Sequence, residues 1–373
     1  MRSTLTQQES QDDDDGPSIL CVAGFGRRRN GQSQWGKIET HFTPMAIAAS
    51  HVTYIAPATF DEYPDHLDIR PVASHRSRIV TQLYQLLAVI RLSRTNDYDA
   101  IVAFSLIPYG VIGLFGKAAS GTPVHLGIIG MDLDVHANAW YGPVIRWCFR
   151  RFDSLSVAGT DFANRLQQYG IAPDRLFTVS HSVDSRFAEA EPHQSPQTDL
   201  VWVGRMSEEK DPIRFVRIVD ILRKRGIECQ AVMVGDGPLF DDVREAISKR
   251  NLSDAIRLEG WSDDPLPSYR DARVLVSTSS REMLPLTVVE AMCVGLPAIV
   301  PPLGGLPDII DSGHNGILVP DRDPETYASV ISGLLADESR RQKLGTAARQ
   351  LAETHAHEEV ATAWRSVFDS ITD

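Results

Sequence analysis

The sequence predicts an α/β protein made of two doubly wound parallel sheets that face each other across a cleft, and three observations predict it. The chain has 373 residues, more than one domain of ordinary size holds. Short unbroken apolar runs, which mark buried parallel strands, alternate with amphipathic stretches through the first half, and the same rhythm restarts in the second. Between the two series lies 189–198, where Pro192, His193, Gln194, Ser195, Pro196 and Gln197 give the composition of a linker.

Taken in order, strands are expected over 19–23, 52–56, 100–104, 124–129 and 155–157, with helices over 79–91 and 140–152 between them. In the second series, strands over 200–203, 231–234, 256–258, 274–276, 298–300 and 317–319 alternate with helices near 212–225, 239–249, 287–293 and 324–335. This gives an N-terminal domain over 19–188 and a C-terminal domain over 199–355. Residues 1–18, with Asp12 to Asp15 in a row and almost no apolar content, read as a disordered acidic tail. The last helix carries Val360, Trp364, Val367, Phe368 and Ile371 on one face. Burying that stripe would take 357–373 back to the N-terminal domain.

Composition narrows the function. With 43% hydrophobic and 23% charged residues the chain can bury two cores. The longest weakly polar stretch, 104–116, is too short for a bilayer span and is broken by Pro108, Gly110 and Gly113. Cys21, Cys148, Cys229 and Cys293 lack metal-ligand spacing and sit in apolar segments, which reads as buried thiols in a reducing compartment, hence the cytoplasm. A net charge of −12 argues against a nucleic-acid partner. The excess lies in the second half, while 16–190 is close to neutral; this reads as a solubility feature or as two surfaces with different partners.

Ligands of open parallel sheets bind at the carboxyl ends of the strands, so the strand-to-helix turns carry the chemistry. After the strand 200–203 come Gly204, Arg205 and Met206, with Lys210 just ahead of a helix; two cations and free backbone N–H groups at such a place suit a diphosphate. The neighbours Glu208, Glu209 and Asp211 could instead neutralise Lys210 in a solvated loop. Gly235-Asp236-Gly237-Pro238 follows the next strand, either as a tight turn or as a close approach to a ligand. The run from Glu282 to Met292 places one carboxylate in a loop and a second, Glu290, two turns later in an apolar helix where an unpaired charge is costly. There Glu282 suits a sugar hydroxyl and Glu290 a ribose, while the N–H groups of Leu284, Leu286 and Thr287, around Pro285, would face phosphate oxygens. Gly304-Gly305 opens another helix, as anion donors or as a plain turn. In the first half, Gly24-Phe25-Gly26 is followed by Arg27, Arg28 and Arg29; its glycine spacing does not fit a dinucleotide fingerprint, and the loop could meet an anionic acceptor, a phosphate or only water.

In this order and spacing, Gly204-Arg205 with Lys210, Gly235 to Pro238, Glu259-Gly260-Trp261, Glu282 with Glu290, and Gly304-Gly305 resemble the retaining glycosyltransferases of family 4. The resemblance implies the GT-B fold, two Rossmann-like domains across a cleft, and transfer of a sugar from a nucleotide diphosphate sugar, UDP- or GDP-linked, to a glycan, small-molecule or lipid-linked acceptor. Arg205 and Lys210 would hold the departing diphosphate, Glu290 the ribose and Glu282 the donor sugar. Residues 259–262, Trp261 among them, would hold the base. Gly204 and Gly235 would shape the nucleotide site, and Gly24 and Gly26 the loop that meets phosphates or acceptor. The reaction would need neither metal nor cofactor. Asp132-Leu133-Asp134 has the spelling of a metal motif but falls, by the resemblance, in a loop near the acceptor.

The first half departs from the family pattern. Where many members have a His-Gly pair and then an acid two places on, this chain has Ile129-Gly130-Met131-Asp132, and the nearest histidine is His136. Two further readings follow: a nucleotide-sugar isomerase of the 2-epimerase type on the same fold, or a nucleotide-sugar-binding protein with impaired chemistry. The segment 79–94, with Arg91 and Arg94, is read as packing Leu83, Leu86, Leu87 and Ile90 into the core, the alternative being contact with an anionic membrane at the inner face.

Overall fold

The computed structural model describes residues 16–24, 35–57, 67–72, 77–190 and 195–372. Most of the acidic tail, Gly26 with its arginines and the middle of the linker lie outside the described residues.

The front lobe is a seven-stranded parallel sheet in the order β3-β2-β1-β4-β5-β6-β7. Its strands are β1 (Ser18–Val22), β2 (His51–Ala56), β3 (Leu67–Pro71), β4 (Ala100–Phe104), β5 (Val124–Gly127), β6 (Ser154–Val157) and β7 (Leu176–Thr178). The direction of winding reverses at β1. Right-handed crossovers then place α1 (Trp35–Ile47) on one face and α2 (Arg78–Thr95), α3 (Val111–Ser120), α4 (Gly142–Phe149) and α5 (Thr160–Gln168) on the other. The side chains agree. Ile19 and Cys21 of β1 pack with Phe42 of α1, whereas Leu20 and Val22 share a core with Val89, Ile112, Ile145 and Leu166.

The edge strands β3 and β7 are absent from the expected elements. Leu67–Pro71 reads Leu-Asp-Ile-Arg-Pro and is only half covered, so it lacks the apolar run of a central strand. Helix α1 was hidden by Pro44 in its interior.

Helix α2 corrects the sequence reading directly. Leu83 and Leu87 are 53% and 62% exposed, and the stripe facing the sheet is Thr81, Gln85, Val89 and Ser93. Gln85 occupies this place because its amide donates to the strand-end carbonyls of Ala23 and Ile55 at 3.3 and 3.1 Å. Gly116 of α3 lies against Val89, and a Cβ there would meet Val89 at 2.9 Å.

After α6 (Ser185–Glu189) the back lobe forms a six-stranded parallel sheet in the order β10-β9-β8-β11-β12-β13. These are β8 (Thr198–Val203), β9 (Ala231–Val234), β10 (Ile256–Gly260), β11 (Ala272–Val276), β12 (Ala298–Val300) and β13 (Gly316–Leu318). Around them run α7 (Pro212–Lys224), α8 (Phe240–Lys249), α9 (Leu266–Arg270), α10 (Leu286–Cys293), α11 (Leu306–Ile309), α12 (Pro324–Ala336) and α13 (Glu338–Ala352). The last helix, α14 (His357–Thr372), lies on α1: Val360, Trp364, Val367 and Phe368 join the core of the front sheet.

Candidate functional site

The carboxyl ends of both sheets open on a cavity of about 460 Å³. Its front wall includes His41 of α1, the ends of β4 to β6, and Trp364 of α14; its back wall is Lys210, Glu282 and the approach to α10. The lobes touch beside it. Thr160 donates from its backbone N and its Oγ1 to the two carboxylate oxygens of Asp308, at 2.7 and 2.6 Å. A Cβ on Gly305 would stand 2.2 Å from the Ala158 carbonyl, so the approach requires glycine.

On the back wall, Lys210 Nζ donates to Glu282 Oε1 at 2.5 Å, and Ser279 Oγ donates to the same oxygen at 2.6 Å. The carboxylate side chain is 7% exposed and the lysine 25%. Neither bond uses Glu282 Oε2. The lysine backbone is fixed by Thr278, whose hydroxyl lies 3.1 and 2.9 Å from the carbonyls of Lys210 and Asp211. The neighbours expected to neutralise Lys210 do not: Asp211 caps α7 and pairs with Arg214 and Arg322, at 2.7 and 3.1 Å. Its partner is the distant Glu282 instead.

Arg205 is exposed in the turn after β8 and is not part of the cavity wall. Its charge is felt nearby. Burial would raise the Glu209 carboxyl, but the Ser207 hydroxyl, a backbone N–H and the charges of Arg205 and Arg281 outweigh it and hold that group below its ordinary value. The glycine turns are packed backbone to backbone. Gly204 N donates to the Val234 carbonyl at 3.0 Å, and Gly235, at φ 139°, would put a Cβ 1.8 Å from the Gly204 carbonyl oxygen. Gly305 N is likewise engaged, donating to the Met283 carbonyl at 2.5 Å.

Leu284, Pro285 and Leu286 line the cavity, and α10 starts at Pro285 with no side-chain cap. Thr287 and Glu290 lie further along the helix and outside the cavity wall. Glu290 is not unpaired: the Tyr269 hydroxyl donates to Oε2 at 2.9 Å. Burial pushes its carboxyl up to about 7, against the Tyr269 bond, with the charges of Asp184 and Asp264 adding to the rise. Trp261 is half exposed after β10, its Nε1 donating to Asp263 at 3.1 Å.

The front-lobe candidates are placed differently from the acceptor loop expected. Asp132 is fully buried and accepts from Ser105 Oγ, Leu106 N and Ile129 N, at 3.0, 3.1 and 3.1 Å. Burial nonetheless raises its carboxyl above the ordinary value. It ties the β4 and β5 turns together and does not line the cavity. His136 sits off the cavity too, within 2.8 Å of the Tyr141 hydroxyl. Asp134 is bound to Arg165 at 2.7 Å, so the two acids of the Asp-Leu-Asp motif serve different partners. Among the described residues no group of three His, Cys, Asp or Glu is placed to hold a metal. Gly24 packs under Tyr109, whose hydroxyl a Cβ would meet at 2.2 Å.

Several residues at the site escaped the sequence reading. Thr278 and Ser279, which support the Lys210–Glu282 pair, lie just past the end of β11, and that position was the available signal. His41 and His181, both in the cavity wall, face each other with ring centroids 4.3 Å apart. Burial, with the charge of His355, pushes His181 down to about 4, so it is neutral at physiological pH.

Comparison with known proteins gives a consistent family. Residues 184–351 match the family model described as glycosyl transferases group 1, and residues 46–181 match that described as glycosyl transferase 4-like domain. Curated relatives include an alpha-D-kanosaminyltransferase of Streptomyces kanamyceticus, 32% identical over 41% of this chain and 40% of its own. A D-inositol 3-phosphate glycosyltransferase of Streptomyces bingchenggensis is 36% identical over 54% of this chain and 49% of its own. The chain spans about half the length of these curated relatives. Among solved structures, Anabaena HepE in complex with UDP and glucose superposes with a TM-score of 0.74 at 15% identity, covering 96% of this chain and 100% of that one. Sucrose-phosphate synthase from Thermosynechococcus elongatus gives a TM-score of 0.75 at 18% identity, covering 92% and 96%. With both lobes matched in sequence and the two-sheet architecture shared throughout, the chain belongs to the group 1 glycosyltransferases of the GT-B fold.

Proposed function

We propose that the protein moves a sugar from a nucleotide diphosphate sugar to an acceptor hydroxyl, with retention at the anomeric carbon and without a metal. The observation that carries this reading is the Lys210–Glu282 pair on the cavity wall beside the uncapped start of α10. As the bond from the anomeric carbon to the diphosphate oxygen breaks, negative charge grows on that oxygen. Lys210, the backbone N–H groups at α10 and Arg205 of the turn after β8 stabilise it, and preorganised charge of this kind is usually the largest catalytic contribution. The acceptor oxygen bonds to the same face of the sugar, and its proton passes to the departing phosphate oxygen. Glu282, oriented by Lys210 and Ser279, holds a donor-sugar hydroxyl through its remaining lone pairs, while Glu290 takes the ribose. HepE has been solved with UDP-glucose, which makes UDP-sugars the first donors to try.

The test is turnover of UDP- and GDP-sugars with an acceptor panel, in the presence of a chelator, with the anomeric configuration of the product read by NMR. Inactivity across all donors, or loss of activity with the chelator, contradicts the reading. The adjacent pair His41 and His181 in the cavity wall favours a second reading, an isomerase with a base at the sugar; it predicts product in the absence of any acceptor.

A further inference from the structure

We propose that the outer face of α2, α3 and α4 docks the protein onto an anionic lipid bilayer. The three helices lie on one side of the front sheet, where Val89, Ile112 and Ile145 meet in one core cluster, so their outer residues share one outward face. That face is apolar where a water-facing surface is ordinarily polar. On α2 the usual order is inverted: Thr81, Gln85 and Ser93 are buried, and Ile79, Leu83 and Leu87 are 70%, 53% and 62% exposed. Phe115 of α3 and Val144 and Trp147 of α4 are more than half exposed, and Trp140, just ahead of α4, is 93% exposed. Apolar side chains scattered singly are ordinary, but this density on one face marks an interaction surface.

Charge selects the occupant. The chain carries −12 overall, yet Arg78–Thr95, 106–120 and 140–151 contain no Asp or Glu. Arg78, Arg91 and Arg94 are exposed at the two ends of α2. Arg151 stacks on Trp147 with its guanidinium 4.2 Å from the ring centroid, so that cation and aromatic are presented together. The nearest acid beyond α4, Asp153, is held by Lys117 at 2.6 Å. Leucine, phenylalanine and tryptophan among arginines match a leaflet that is apolar within and negative at its surface. No helix among the described residues is long and apolar enough to cross a membrane, so the contact is one of lying on the surface. Between β5 and α4, Met131 and Val135 are also exposed, and Ile129 of the same connection lines the cavity. The docked protein would hold its cleft beside the leaflet. The proposal does not depend on which sugar chemistry the cleft performs.

Vesicle flotation of the full chain tests it, with phosphatidylcholine alone against phosphatidylcholine containing phosphatidylglycerol. The protein is expected to float with the anionic vesicles at least about tenfold more than with the neutral ones, and less at high salt. The combined variant Leu83→Ser, Leu87→Ser and Trp140→Ala should fall to the neutral-vesicle level while keeping its melting temperature. Arg91→Glu with Arg94→Glu should do the same without touching the apolar side chains. Flotation that ignores headgroup charge, absence of flotation, or a dimer in light scattering that the triple variant dissociates would each overturn the proposal.

Discussion

Lys210 and Glu282 are 72 residues apart in sequence, on the loops that follow β8 and β11, and their side chains meet at 2.5 Å on the wall of the cleft. The contact joins two adjacent strands of the sheet through their functional ends. Its geometry is fixed on both sides, by Thr278 under the lysine backbone and by Ser279 on the shared carboxylate oxygen. The cation is therefore in place before any substrate arrives, which is the condition for electrostatic stabilisation without reorganisation.

Removing that cation should act mainly on turnover. Lys210→Ala is expected to lower kcat by about 10²- to 10³-fold with little change in fold, as measured by steady-state kinetics and circular dichroism. Glu282→Gln keeps the shape but loses the charge that orients Lys210. Because the two residues act as a pair, the double variant should lose less than the product of the single losses.

Glu290 gives a pH signature. Its folded carboxyl ionises at about 7, above the ordinary value of 4.5, so the folded state binds that proton more tightly than the unfolded chain. The resulting stability is complete below about pH 4.5 and is lost as the pH rises through about 7. Melting temperatures of the protein and of Glu290→Gln should therefore differ more, in favour of the unmodified protein, at pH 5 than at pH 8. An equal difference at both would contradict the assignment.

Asp132 is expected to matter for stability. Asp132→Ala leaves the buried N–H of Leu106 and that of Ile129 without their acceptor. The loss should be roughly 2–5 kcal/mol in chemical denaturation. Asp134→Ala, which frees only Arg165 at a less buried position, should cost less.

Two glycines make a matched pair. Gly235→Ala drives a Cβ into the Gly204 carbonyl and should cost roughly 1–3 kcal/mol while weakening nucleotide binding through the displaced 204–206 turn. Gly333 lies in α12 with open space around it, and Gly333→Ala should stabilise by about 0.5–1 kcal/mol. Thermal melts of the two variants read both signs at once.

The legible parts of the sequence were those whose physics is local. β4, β9 and β12 are continuous apolar runs buried on both faces, and their limits coincide with the expected ones. The edge strands β3 and β7 were not legible because half-solvated strands need no such run. Helix α2 misled because three of its four buried residues, Thr81, Gln85 and Ser93, are polar and find carbonyl acceptors, Gln85 at the strand ends and the other two within reach of their own helix, so apolar periodicity pointed the wrong way. At the site, residue type and turn position singled out Lys210, Glu282 and Glu290. Of their partners, Thr278 and Tyr269 reach Lys210 and Glu290 only through the tertiary fold, which residue spacing does not encode, whereas Ser279, three residues before Glu282 in the same loop, was within reach of a local reading. Asp132 had the residue type of a site but faces inward, a matter of packing alone.

The central claim is that the wall around Lys210 receives a diphosphate, and a calorimetric titration of UDP and GDP into the protein and into Lys210→Ala tests it most directly. At least one nucleotide is expected to bind the unmodified protein, and the variant to bind it about tenfold more weakly or worse. Absence of binding by both nucleotides, or an affinity that the variant leaves unchanged, would contradict the claim.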